Sequence, residues 1–541
     1  MDLFSFYLIS VLLGVLRSIS NAENLTFQTS IRDLHLQAGQ GQFLGPSAIS
    51  GSFDQLVTTD TCSRACEILA AIRPGTVLTP FTPAYERAKF GYWTKNQAES
   101  NSRCIYQPIS AGEVSLAVVL LKSLRCPFAV KSGGHGCYDG QSSISQGITI
   151  DLGKIDQINL SDDRSVVTLG PGSRWLNVYT ALEPLNVTVI GGRDAGVGIG
   201  GFLLGGGISF QSSQYGFGCD NIVAYEIVLA NGSMVIASEE QNSDLYKALR
   251  GGGSNFGIVT AFHLDAYPNT PMWGGSRICK YDKTPDITRA FMNYASLVEE
   301  DSKASVILNL LYQNGQWVWQ LDLEYCAPVS DASVMREFMD IPAIEDETAI
   351  TNQSQLTVAM AERAPRGYRS SFWASTGKAD ILLLTFYVET FVAESEKVLK
   401  SPGIIPAGDI QIIPPGQRRP MTKRGGNVLG LADNTNETLI LFNPVFLWDD
   451  PAHDDIAYAT LSTIIEKTNE KSVRLGLQSD FIYMNYASQF QDVIGSYGKK
   501  SQEFLHAVAE KYDPEGVFQY LATGGHKLYG PPRHALFKGE I

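Results

Sequence analysis

The chain has 541 residues, 44% hydrophobic and 18% charged, an ordinary globular composition with room for two or more domains. Its net charge of -14 argues against nucleic acid and anionic membranes as partners. From residue 23 onward there is no run of the roughly 18 apolar residues that a membrane span needs.

Leu3 to Leu16 is apolar but too short to cross a bilayer, and Ser20-Asn21-Ala22 offers small residues for cleavage. Residues 1–22 are therefore expected to be a secretory signal, and the protein to be secreted. Six Asn-x-Ser/Thr sequons, at Asn24, Asn159, Asn186, Asn231, Asn352 and Asn436, fit a glycoprotein. The eight cysteines are spread too thinly for a disulfide scaffold. One or two bridges near the N-terminus are expected, with Cys126 a partner for Cys62 or Cys66. The Cys62-x-x-x-Cys66 pair lacks a second ligand pair, so no metal site is expected.

In chain order, the patterning predicts a helix around Cys62 to Ile72, another over Ala111 to Leu124, and a strand over Pro127 to Lys131. Strands follow at Gly147 to Leu152 and Val166 to Leu169, then a helix at Ser173 to Leu182. Two more strands are expected at Asn221 to Leu229 and Met234 to Ala237. Around Pro268 to Gly275 the texture changes. Beyond it, aromatic alternation predicts strands at Trp317 to Tyr325 and Ile381 to Tyr387. Helices are expected at Thr284 to Glu299, with Thr284 as N-cap and Pro285 in first position, and at Asp454 to Lys467. No repeat and no low-complexity tract is present. The reading is α+β, a glycine-rich first domain followed by a strand-rich second one.

Glycine carries the chemical signal. After the strand at Pro127 to Lys131 comes Ser132-Gly133-Gly134-His135-Gly136, a turn with few side chains where backbone N–H groups can converge on an anion beside one imidazole. Gly196-Val197-Gly198-Ile199-Gly200-Gly201 satisfies G-x-G-x-x-G, with Asp220 about 20 residues on, as in a dinucleotide-binding unit. The helix such a unit requires is contradicted by Gly205-Gly206-Gly207, at about 1 kcal/mol per glycine relative to alanine. A third segment runs from Arg250 to Thr260 and contains Gly257-Ile258-Val259. Each could be a tight turn. Three together suggest backbone closely approaching a large flat or anionic ligand.

These segments, with Tyr215-Gly-Phe-Gly-Cys-Asp220-Asn221, Tyr483-Met-Asn485-Tyr486 and Tyr512-Asp-Pro-Glu-Gly-Val-Phe518, closely resemble the FAD-linked oxidases of the berberine-bridge-enzyme-like group in the vanillyl-alcohol oxidase superfamily. The likeness runs from about Cys104 to Lys527, in the style of secreted fungal members. It implies a two-part FAD-binding domain of the PCMH type over residues 23–270 (core about 100–270). A substrate domain of antiparallel sheet backed by helices would follow over residues 271–500, with residues 501–541 returning to the first domain.

The resemblance also implies roles. His135 matches the histidine that bonds covalently to the flavin 8α-methyl carbon. Ser132, Gly133, Gly134, Gly136, Gly196, Val197, Gly201, Gly206, Gly207, Tyr215, Asp220, Gly257, Ile258 and Val259 would bind FAD, and Asn485 would approach the flavin from the substrate side. Many relatives have a second, cysteine link near Asp194. Gly191 to Gly196 holds no cysteine and Cys137 is too near His135 to replace it, so a single link is expected. Some plant relatives carry a catalytic carboxylate on the strand that here reads Leu439 to Phe446, which has no acid. That leaves Tyr483 as base, at a cost of about 4 kcal/mol for an ordinary phenol at pH 7 unless a cation assists. Its bland alternative is an aromatic wall residue.

The expected function is oxidation of a small organic substrate, of the secondary-metabolite kind, by a monomeric enzyme with O2 as acceptor. A secreted oligosaccharide oxidase, a redox-neutral isomerase or cyclase using bound FAD, and a flavin-free binding protein of the same fold are the alternatives.

Overall fold

The computed structural model describes residues 59–401, 403–432 and 436–532. The expected signal, its cleavage site and the Asn24 sequon lie outside the described residues.

Three sheets carry the architecture. In the first, Cys104–Tyr106 and Phe128–Lys131 run parallel to Ile148–Asp151 between them, and Val77–Leu78 adds an antiparallel edge. Helices Thr59–Ile72 and Ala111–Ser123 pack on it, burying Ala65, Leu69, Val114, Ala117 and Leu121 with Phe128, Ile148 and Ile150. Disulfides Cys62–Cys126 and Cys66–Cys104 fasten the first helix to this layer. The second sheet is antiparallel, in the order Ile158–Leu160, Val166–Leu169, Ile258–Asp265, Ile222–Val228, Met234–Ser238.

The third sheet has ten strands, all antiparallel. Its centre is built from β1 (Ala304–Gln313), β2 (Gln316–Tyr325), β3 (Ile405–Ile413) and β4 (Leu439–Trp448), in the spatial order β2-β1-β3-β4. Strand alternation sends Val306, Leu308, Leu310, Trp319, Leu321, Ile410, Ile412, Ile440 and Phe442 to one face. There they form a core with helices Thr284–Leu297, Ile381–Val398 and Asp454–Leu475. The opposite face of the same strands looks into a cavity.

Most expected elements stand within three residues, but helix Asp454–Leu475 runs well past the expected end at Lys467. Two further expectations are corrected. Ile381 to Tyr387 is not a strand but the start of an 18-residue helix. The Asp380 carboxylate caps it by accepting from the N–H groups of Leu382 and Leu383, and Leu383, Leu384, Tyr387, Val388 and Phe391 bury one face. A short run apolar on every side does not distinguish a strand from a helix pressed on two neighbours. The helix at Thr284 starts one residue earlier than expected: Lys283 is the N-cap, and the Thr284 hydroxyl donates back to the Tyr281 carbonyl.

Candidate active site

Between the glycine turns and the bare face of the third sheet lies a cavity of about 570 Å³. Ser132, Gly133, Gly134, His135, Gly136, Val197, Gly201, Gly257, Ile258, Val259, Tyr483 and Asn485 all line it. The structure thus brings together expected residues as distant in sequence as Ser132 and Asn485.

His135 sits where the two walls meet. Its ring stacks on Trp93 at 4.7 Å between centroids and 15° between planes. Its Nε2 is 3.8 Å from Asp194 Oδ1. Burial lowers its pKa, Asp194 opposing, so the imidazole is neutral near pH 7. The neighbouring Cys137 thiol is pushed up to about 12 by burial and stays protonated.

The residues present fit a flavin dinucleotide. The N–H groups of Gly133, Gly134, His135 and Gly136 find no acceptor among the described residues, an arrangement suited to an anionic or carbonyl-rich ligand. A Cβ on Gly201, which lines the cavity, would meet nothing within 4 Å. His526 also lines the cavity, 4% exposed, and both its ring nitrogens lack a partner, an orphan a bound cofactor would satisfy.

Five expected cofactor contacts lie outside the cavity. Gly196 sits behind its wall, its carbonyl taken by Arg174. Gly206 and Gly207 adopt positive φ to turn the chain out of helix Ile199–Leu204, six residues long and thus no dinucleotide-binding helix. Tyr215 packs on Tyr267 at 4.2 Å. Asp220 is wholly buried and structural: it accepts from Phe217 N–H and Asn427 Nδ2 and faces Arg250 at 3.4 Å. Much of the glycine density thus serves chain-to-chain approach. A Cβ on Gly133 would stand 2.4 Å from the Gly198 Cα.

Met484–Tyr486 is a 3-10 turn with Tyr483 as its N-cap. Tyr483, the expected base, presents its ring to the cavity but keeps its hydroxyl on the chain. It is 1% exposed, and its oxygen accepts from the N–H groups of Gly207 (3.1 Å) and Ile208 (3.0 Å) and from Asn485 Nδ2 (3.0 Å). Burial holds its pKa above the ordinary phenol value. Tyr486, partly exposed to the cavity, is the tyrosine with a cation. Arg193 Nη2 donates to its oxygen at 2.9 Å and Gln411 Nε2 at 3.1 Å, while Arg193 also bonds Gln411 Oε1 at 2.7 Å.

The sequence reading passed over Trp93, Arg193, Gln411 and Asp409. Asp409 and Gln411 alternate with isoleucines along β3, a signal that was available. Asp409 lies directly opposite Asn443 of β4, the strand without an acid.

Residues 102–238 match the family model described as an FAD binding domain. The FAD-dependent monooxygenase tpcD of Cochliobolus heterostrophus is 36% identical over 450 residues, 81% of this chain and 87% of that protein. FUP4 of Fusarium proliferatum, of the same description, matches with the same identity and coverage. Among solved structures, berberine bridge enzyme from Eschscholzia californica superposes with TM-score 0.68 at 16% identity, covering 87% of this chain and 99% of that one. Xylooligosaccharide oxidase from Myceliophthora thermophila C1 gives 0.67 at 20%, with the same coverage.

Proposed function

The chain belongs to the family of its fungal relatives, the FAD-dependent oxidoreductases with an FAD binding domain, and from that membership we propose that it is of the berberine-bridge-enzyme-like kind, oxidises a small organic substrate with O2 as acceptor, carries FAD covalently on His135, and uses Tyr486 as proton acceptor. The carrying observation is one cavity that holds a neutral, stacked histidine beside unpartnered turn N–H groups and, across from it, a tyrosine oxygen met by a guanidinium. FAD, when bound, supplies the hydride acceptor. His135 offers a nucleophilic lone pair, Trp93 fixes its ring plane, and Asp194 faces the charge that attachment places on the ring. When the substrate releases its proton to Tyr486, Arg193 and Gln411 already point N–H groups at that oxygen, so no reorganisation is needed. Tyr483, fastened to the backbone at Gly207 and Ile208, frames the wall instead.

The relatives' name, monooxygenase, supports O2 as co-substrate. We retain the FAD domain over residues 23–270 with 501–541, the substrate domain over 271–500, and a secreted, glycosylated monomer. Secretion draws support from the two disulfides, which need an oxidising compartment. The test is acid precipitation of the purified protein, followed by peroxide assays against phenols, alcohols and sugars. Flavin that stays with the pellet and peroxide from one substrate class are expected. Flavin released to the supernatant would overturn the covalent assignment.

A further inference from the structure

We propose that the sheet wall of this cavity recognises a hydrogen-bond-donor edge on the substrate, namely an aromatic ring with hydroxyl groups meta to one another. The proposal rests on reading the cavity as the substrate site. Gln320, Asn309, Asp409 and Asn443 stand directly opposite one another on the adjacent strands β2, β1, β3 and β4, and all four line the cavity. They form a continuous polar row across the sheet, flanked on the same face by Asp322 and Gln411.

The row's donors are already spent. Gln320 Nε2 donates to both oxygens of Asp322, at 3.2 and 3.0 Å. Asn309 Nδ2 donates to Asp322 Oδ2 at 2.8 Å and to the Gln320 carbonyl at 3.4 Å. Asn443 Nδ2 donates to the Trp373 carbonyl at 2.8 Å. The Trp373 and Gln320 carbonyls can only accept, and so does Asp322 as the carboxylate that Arg363 faces at 3.7 Å, which fixes the amide orientations.

What remains is the acceptors: three carboxamide oxygens and, when ionised, both oxygens of Asp409, whose side chain has no hydrogen bond or ion pair among the described residues. Asn443 is 1% exposed with its Oδ1 orphaned, an unmet acceptor until a donor arrives. With Asp409 ionised, above about pH 7, the row only accepts and is complementary to a ligand edge that donates. Its members repeat at the strand spacing of about 4.8 Å, which is also about the separation of two hydroxyl oxygens meta on a benzene ring. On the same face Leu311, Ala407, Val445 and Leu447 offer apolar surface for the ring. An ether oxygen in the hydroxyl's place would oppose lone pair to lone pair.

The experiment titrates the flavin-loaded enzyme with orcinol, its dimethyl ether, methylhydroquinone and xylobiose, following the flavin absorbance. Orcinol is expected to bind at least about tenfold more tightly than the other three. Asp409→Asn, which puts an N–H into the row, should weaken orcinol about tenfold and tighten the dimethyl ether. Asn443→Leu should weaken orcinol with no gain for the ether, and its unliganded flavin spectrum reports an intact site. Equal binding of orcinol and its ether, tighter binding of methylhydroquinone or xylobiose, or an unchanged orcinol affinity in Asp409→Asn would each overturn the proposal. The titration needs bound flavin but neither turnover nor a covalent link, so its failure is separable from failure of the proposed oxidation.

Discussion

At the scale of single residues, the chemistry depends on which groups burial leaves free. His135→Ala should yield protein whose flavin is released by acid, or that takes up none. Cys137→Ser should keep the acid-stable flavin, because a thiol held up at about 12 supplies no thiolate near neutral pH. Mass spectrometry of flavin-bearing peptides checks both. The two tyrosines should separate in rapid-mixing measurements. Tyr486→Phe removes the oxygen that Arg193 and Gln411 address and should slow flavin reduction by about 10² to 10⁴. Tyr483→Phe leaves two buried N–H groups unpaired and should show mainly as lost stability, about 1–3 kcal/mol. The reverse pattern would return the proton to Tyr483. Asp409 gives a pH signature. Burial, then Asp322, raise its carboxyl to about 7, with Arg193 opposing. The folded chain therefore binds that proton more tightly than the unfolded chain, and stability is lost as pH rises from about 4 through 7. Asp409→Asn should melt like the parent near pH 4 and higher near pH 8, by no more than about 4 kcal/mol.

At the scale of elements, the sequence was legible where pattern and neighbourhood agree. Val166–Leu169 alternates and is half covered, Ala111–Ser123 has a Ser110 cap and a helical stripe, and both lie where expected. Helix Ile381–Val398 was not legible, since what decides it is burial against helix Asp454–Leu475 and the cap at Asp380. The same limit applied to the site. The turn at His135 is local and announces itself, whereas the polar row exists only once four strands distant in sequence are placed side by side. Glycine density in the sequence points to a ligand, yet Gly133 and Gly198 show two backbones touching each other. Gly133→Ala should therefore disrupt the site through its frame, since neither backbone can yield to a contact of 2.4 Å. It should purify without flavin and melt lower than the parent. Gly201→Ala meets only open cavity and should melt like the parent while loading less FAD, read as the ratio of flavin to protein absorbance.

At the scale of the whole molecule, both sides of the cavity depend on the first layer holding its place. The His135 turn follows strand Phe128–Lys131, whose start lies beside Cys126, and Cys126 is bonded to Cys62 across 64 residues. The second bridge, Cys66–Cys104, closes 38 residues onto the neighbouring strand Cys104–Tyr106. In the chain-entropy account, loops of these lengths are each worth about 4 kcal/mol. Reduction should thus loosen the layer beneath the histidine before it touches the third sheet, whose core contains no bridge among the described residues. Replacing Cys62 and Cys126 together by serine should lower the melting temperature and lower the fraction of flavin resistant to acid. Trp373 and Trp448, buried in the third sheet's core, should keep their fluorescence until a second transition at higher temperature. A single transition with unchanged flavin attachment would show that the bridges stabilise the chain as a whole without positioning the turn.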